Sequence, residues 1–205
     1  MGIIIYSAPQ TRGVLALWAA EELGIPYERV KIDFASGEHK GETFTKINPN
    51  QRVPAMVVDG RPMFESTAMV LFLAEKFGRE KKLWPTDDAS RAEAMGWTVW
   101  GTAQLGHDIH QLMMASHARV PQEMHNEARA RASRTDIEKD LGVLDAHLAK
   151  HAFVMGDAFT LADVVPASAV FFATMGGVDF SSHVHVSEWA QKLRGREALK
   201  RAQSY

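Results

Sequence analysis

Three short runs of this chain carry residue types able to grip a small zwitterion. In Val53-Pro54 a proline enters a strand-like segment. Proline cannot donate to a sheet ladder, so it belongs at an edge or at a strand's first position. The peptide groups of its neighbour are then available to an extended ligand laid down as an added strand; a plain strand-opening proline accounts for the same pair. Glu65-Ser66 stands at the head of a helical run. Ser66 is placed to cap that helix, and a helix start offers amide donors and positive dipole character to a carboxylate. Glu65 beside it can hold an ammonium group, or be a solvated charge next to an ordinary cap. His39-Lys40, in a polar stretch, offers cations to a second carboxylate, where a solvated surface pair is the plainer reading.

The elements that must position these residues fall into two groups. Ile3-Ile4-Ile5-Tyr6 is short, apolar and β-branched, and predicts a buried strand. Residues 13–23 follow a helical pattern that Gly24-Ile25-Pro26 stops. Residues 27–34 predict a second strand, and residues 35–50 a short helix with much loop. Residues 54–58 and 61–64 flank Asp59-Gly60, a hairpin-turn dipeptide, and a helix is expected from about 66 to 77. The order β-α-β-α-β-β-α argues for an α/β layer structure. Beyond a linker the strand signals vanish. Helices are expected over 90–118, over 122–150, from near Thr160, and in two short pieces around 187–204. The reading is an α/β N-terminal domain over 1–78, a linker over 79–89 and an all-helical domain over 90–205.

Composition narrows the function classes. The chain has 205 residues, 46% apolar and 23% charged, with 23 basic against 25 acidic residues and a net charge of −2. That is ordinary globular composition without the basic footprint of a nucleic-acid binder. No apolar run approaches membrane-spanning length and the N-terminus lacks the features of a secretion signal, so a cytoplasmic protein is expected. The chain has no cysteine, so any thiol it uses must arrive with a substrate.

An ammonium, a carboxylate, an extended backbone and another carboxylate describe a γ-glutamyl tripeptide from end to end. The runs Gly37-Glu38-His39-Lys40, Asn48-Pro49, Arg52-Val53-Pro54-Ala55 and Phe64-Glu65-Ser66 resemble the glutathione site of cytosolic glutathione transferases, closest to the phi-like and bacterial theta-like members. Gly156-Asp157-Ala158-Phe159-Thr160-Leu161-Ala162-Asp163 is similar to that family's signature in the helical domain. Independently of the resemblance, Thr160 and Asp163 have the spacing of a capping box, and Phe159 and Val164 that of a hydrophobic staple. The resemblance implies a thioredoxin-like N-terminal domain with Pro54 cis, Val53 pairing with the cysteinyl backbone, Glu65 and Ser66 at the γ-glutamyl end, and His39 or Lys40 at the glycyl carboxylate. Arg52 stands where relatives often carry glutamine.

A free thiol has a pKa of about 8.5, so making it mostly thiolate at neutral pH needs about two units, or roughly 2.7 kcal/mol. One hydrogen bond to the anion supplies about 1.5–3 kcal/mol, so one well-placed donor is enough. In the family that donor sits between the first strand and the first helix. Alignment back from Gly24-Ile25-Pro26-Tyr27 puts the usual serine opposite Gln10, and the order of candidates is Thr11, the Gln10 amide, then Ser7. Arg12 is read as facing a salt-bridge partner in preference to stabilising charge. A second-substrate pocket would draw on Trp100, Gln104 and His107. The pairs His107/His110 and His147/His151 lack carboxylate ligands at suitable spacing, so no metal site is assigned. The resemblance thus implies a detoxifying transferase that joins glutathione, its co-substrate, to a small apolar electrophile, works as a homodimer and needs no other cofactor. Peroxide reduction, isomerisation, dehalogenation and a non-catalytic binding role stand as alternatives.

Overall fold

The computed structural model describes residues 1–204. The chain divides into two units, residues 1–84 together with the segment from Gly195 onward, and residues 85–194.

In the first unit a four-stranded sheet has the order β2-β1-β3-β4, with β1 Ile3–Ser7, β2 Glu28–Lys31, β3 Ala55–Val58 and β4 Arg61–Phe64. β1 runs parallel to β2 and antiparallel to β3, and β3 and β4 form the hairpin. Side chains alternate across a strand, so Ile3, Ile5 and Ser7 are buried on one face while Ile4 and Tyr6 are half-buried on the other. Helix α1, Gly13–Leu23, packs on the Ser7 face: a Cβ at Gly13 would lie 2.5 Å from Ser7 Cβ, so only glycine permits that approach. Gly24, at φ 56, ends α1 in the left-handed conformation that glycine adopts cheaply. Phe44 of α2, Glu42–Ile47, meets Tyr6 edge-on at 6.1 Å on the opposite face. Helix α3, Ser66–Leu73, packs on α1 and continues as a π-turn over Ala74–Gly78. This is the thioredoxin-like β-α-β-α-β-β-α order expected; the second strand is shorter than the 27–34 read from sequence.

The second unit is helical: α4 Asp88–Trp100, a π-turn Gly101–Leu105, α5 Gly106–Ser116, α6 Glu127–Leu148, α7 Val164–Met175 and α8 Val184–Arg194. The helix expected over 90–118 is thus two helices joined by a π-turn. A Cβ at Gly101 would stand 2.7 Å from the Pro166 nitrogen, so glycine lets that turn press against α7. Leu105, Leu112, Ile137, Leu141 and Leu144 form the buried interior. Among the described residues, no helix is long and apolar enough to cross a membrane.

The structure redraws the domain boundaries. Trp84 is buried and its indole N–H reaches Glu75 at 2.9 Å, so residues 79–84 pack with the first unit instead of forming a linker. Helix α9, Glu197–Gln203, lies against α1 and also belongs to the first unit, not to a domain spanning 90–205. Ion pairs explain the choice. Arg196 grips Glu22 in a two-point fork at 2.5 and 2.7 Å, and Arg201 pairs with Glu21 at 2.6 Å. Arg29 donates to the carbonyls of Ser204 and Ala202 at 2.6 and 3.1 Å.

Candidate functional site

A cleft of about 400 Å³ in the first unit is lined by Arg12, Asn48, Asn50, Arg52, Val53, Pro54, Glu65 and Ser66, a volume in the range of small-molecule sites. Three segments meet there: the β1–α1 loop, the loop before β3 and the start of α3. The Val53-Pro54 peptide is cis, and the sheet ladder begins two residues after Val53, at Ala55. The Val53 side chain packs against the cluster of Ile32, Phe44 and Ala55. Its anchoring inward leaves the peptide groups, outside the ladder, as what Val53 offers a ligand. Asn48, only 3% exposed, fixes this loop: its amide donates to the Arg52 carbonyl at 2.6 Å and its oxygen accepts from the Asn50 N–H at 3.0 Å.

At the start of α3 the residue in the cap position is Glu65, not Ser66, and no side chain caps the helix. Glu65 has φ 72 and ψ 108, a region that costs a residue with a side chain about 1–3 kcal/mol. Ser66, the first helical residue, is 5% exposed and lines the cleft. The first intrahelical bond here runs from the Met69 N–H to the Glu65 carbonyl, so the Ser66 amide at the head of the helix has no intrahelical acceptor. An uncapped helix start with a buried hydroxyl suits a carboxylate. Arg12, which sequence reading set aside, lines the same cleft. Partial desolvation lowers its guanidinium pKa, and the nearby negative charge of Glu65 opposes that shift. Two guanidiniums against one carboxylate make the lining suited to an anionic ligand.

Of the three candidates in the β1–α1 loop, none lines the cleft. Ser7 is 0% exposed, on the face that α1 covers. Thr11 Oγ1 donates to the Ala8 carbonyl at 2.7 Å and accepts from the Gly13 N–H at 3.1 Å, so its proton is committed within the loop. Gln10 is exposed at φ 56. His39 and Lys40 sit on a 3₁₀ turn, Glu38–Lys40, and are also absent from the lining; the His39 ring meets Phe34 edge-on at 4.7 Å. The structure therefore brings together Arg52, Val53, Pro54, Glu65 and Ser66 from the expected set, and adds Arg12, Asn48 and Asn50. Asn48 had a signal in its pairing with Pro49; Arg12 had none beyond its place in the loop.

In the second unit Trp100, Gln104 and His107 lie on successive turns of the 88–116 run. Gln104 and His107 are exposed, Trp100 is half-buried with its ring 5.3 Å from that of Trp97, and the His107 ring reaches the Gln111 amide at 3.1 Å. The His147 and His151 rings lie 4.8 Å apart, and the Trp97 ring is tilted at 50° against that of His147 at 4.5 Å. Among the described residues no three His, Cys, Asp or Glu side chains converge to hold a metal. The Thr160–Asp163 capping box is present. Asp163 accepts N–H bonds from Thr160, Val154 and the Trp189 indole, each at 2.9 Å. Burial pushes its carboxyl up, and these donors pull against that.

A thioredoxin-like unit with a cleft at Val53-Pro54 and Glu65-Ser66, joined to a helical unit carrying that box, defines the class of protein. Residues 1–75 match the family model "Glutathione S-transferase, N-terminal domain" and residues 106–197 match "Glutathione S-transferase, C-terminal domain". The chain is 30% identical over 187 residues to the glutathione S-transferase GstB of Escherichia coli K12, covering 90% of this chain and 89% of the relative. It is 32% identical over 221 residues to the E. coli K12 disulfide-bond oxidoreductase YghU, covering 96% and 72%. Among solved structures, the theta class enzyme of Xanthomonas axonopodis pv. citri with glutathione bound superposes with a TM-score of 0.86 at 27% identity, covering 100% of this chain and 98% of that one. The chain belongs to the glutathione S-transferase family.

Proposed function

We propose that the cleft binds glutathione and that the protein adds its thiolate to small, mostly apolar electrophiles. The observation that carries this reading is the convergence of Val53, Glu65 and Ser66 on one cleft. The γ-glutamyl ammonium pairs with Glu65, and its carboxylate sits on Ser66 and the uncapped start of α3. The cysteinyl backbone runs along Val53 as an added strand. Arg52 takes the glycyl carboxylate from inside the cleft, whereas His39 or Lys40 would have to reach it from outside. The β1–α1 loop, with Thr11 and Gln10, lies beside the cysteinyl residue. There the thiol loses its proton to solvent, the thiolate attacks the electrophilic carbon, and a carbon–sulfur bond forms as the leaving group departs with its electron pair. Trp100, Gln104 and His107 are the residues proposed to contact the electrophile. A homodimer working in the cytoplasm, where glutathione is held reduced, fits this reading.

Titration with glutathione, read by ultraviolet thiolate absorbance, tests the proposal on wild type, Thr11→Ala, Gln10→Ala and Ser66→Ala. Saturable thiolate formation by wild type, weakened in Ser66→Ala, is expected. Binding without thiolate would favour a non-catalytic role, and no binding would overturn the reading.

The YghU relative favours a second reading, glutathione-dependent disulfide exchange, by its name as a disulfide-bond oxidoreductase. The chain has no cysteine, so every sulfur in such an exchange belongs to glutathione or its substrate. A faster turnover of a small disulfide than of any electrophile would select it.

A further inference from the structure

We propose that Arg12 is the catalytic group that stabilises the thiolate of bound glutathione, an inference that rests on the reading of the cleft as a glutathione site.

The β1–α1 loop already commits several of its donors internally. Thr11 directs its hydroxyl proton to the Ala8 carbonyl, Ser7 is wholly buried, and Gln10 lies outside the cleft lining. The amides at the start of α1 are also occupied: Gly13 donates to Thr11 Oγ1, Val14 to the Thr11 carbonyl and Leu15 to the Arg12 carbonyl. A thiolate arriving here finds few uncommitted hydroxyl or amide donors. Arg12 is the residue of this loop that lines the cleft.

The strand register then places Arg12's loop beside the thiol. Ile5 pairs with Met56 and Tyr6 with Ala55 across the antiparallel β1–β3 ladder. Continuing that register carries β1 past Ser7 into the loop as β3 runs back to Pro54 and Val53. A tripeptide whose middle residue pairs with Val53 therefore brings its middle side chain, the thiol, to the end of the sheet where the 8–12 loop begins. A guanidinium there is charged throughout the working pH range, and a neighbouring cation lowers a thiol pKa directly. Glu65 sits close enough to Arg12 to influence its charge, so the ammonium end and the thiol end of the ligand are read by oppositely charged neighbours. In the free protein that carboxylate steadies the guanidinium; on binding it is shared with the ligand's ammonium.

The test compares wild type with Arg12→Gln, Arg12→Met and Arg12→Lys. The pKa of bound glutathione is read by thiolate absorbance against pH, and affinity is measured in parallel for S-methylglutathione, which keeps the peptide but cannot ionise. Expected is a bound-thiol pKa below the free value of about 8.5 in wild type. The two neutral variants should raise it by at least about one unit, a tenfold loss of thiolate near neutral pH, with partial recovery in Arg12→Lys and a smaller loss of affinity for S-methylglutathione than for glutathione. An unchanged pKa in the neutral variants overturns the proposal. So does an equal loss of affinity for both ligands, which would make Arg12 a peptide-binding residue. Wild type that binds neither ligand overturns the underlying reading of the cleft, and the proposal with it.

Discussion

Two helix starts in this molecule are built to opposite ends. At Thr160–Asp163 a capping box closes on itself: Asp163, wholly buried, takes N–H bonds from Thr160, Val154 and Trp189. At Glu65–Ser66 no side chain caps the helix and the cap residue is held at φ 72. The first arrangement fastens a core, because removing one partner would leave buried donors unpaired. The second sets a helix start without a side-chain cap at the edge of a cleft, with strain in the backbone that costs stability. A helix start that satisfies itself stabilises a fold; one that does not is where to look for a site.

Variants can break or sharpen that contrast. Asp163→Ala carries the largest expected effect, a loss of about 3–5 kcal/mol in unfolding free energy by urea titration, since two buried donors and one half-buried donor lose their acceptor. The glutathione affinity of the molecules that remain folded should be unchanged. Ser66→Ala should do the reverse, weakening glutathione by about 10–100-fold, equivalent to about 1.5–3 kcal/mol for a hydrogen bond to a charged group, while moving thermal stability little. Glu65→Gly should separate strain from function most sharply, raising stability by about 1 kcal/mol as the backbone relaxes and still losing most glutathione affinity with the ammonium partner.

A smaller effect is expected at Asp140 on α6, outside both helix starts. Asp140 is 4% exposed; burial first, then the negative charge of Asp108 on α5 and its hydrogen bond, push its carboxyl up to about 6, with Asp136 adding to the rise and Lys139 opposing it. The folded pKa is thus raised above the ordinary 3.8. The associated stability is present below about pH 4 and is lost as pH rises through about 6. Asp140→Asn should remove that decline and gain about 1 kcal/mol at neutral pH, read by thermal unfolding across the pH series.

Much of the molecule was legible in the sequence for local reasons. Short β-branched runs, Gly24-Ile25-Pro26 and Asp59-Gly60 mark the elements of the first unit without any long-range information. Thr160 and Asp163 lie three residues apart, and a capping box is a local motif. What stayed hidden depends on distance or on loop conformation. The place of α9 is set by Arg196 and Glu22, 174 residues apart, and nothing in Glu197–Gln203 itself names that partner. Arg12 reaches the cleft through the path of a loop, which residue types do not specify. Ser7 was a different case: the alternation that buries Ile3 and Ile5 also buries Ser7, so its burial was readable from period two. Ser66 looked like a cap because serine usually is one; the backbone at Glu65 moves the cap by one residue and leaves Ser66 to the cleft.

Calorimetric titration of glutathione into wild type and into Ser66→Ala tests the central claim most directly. The account predicts saturable binding by wild type and at least about tenfold weaker binding by the variant, with both proteins equally folded. No saturable heat in wild type, or equal affinity in the two proteins, would contradict it.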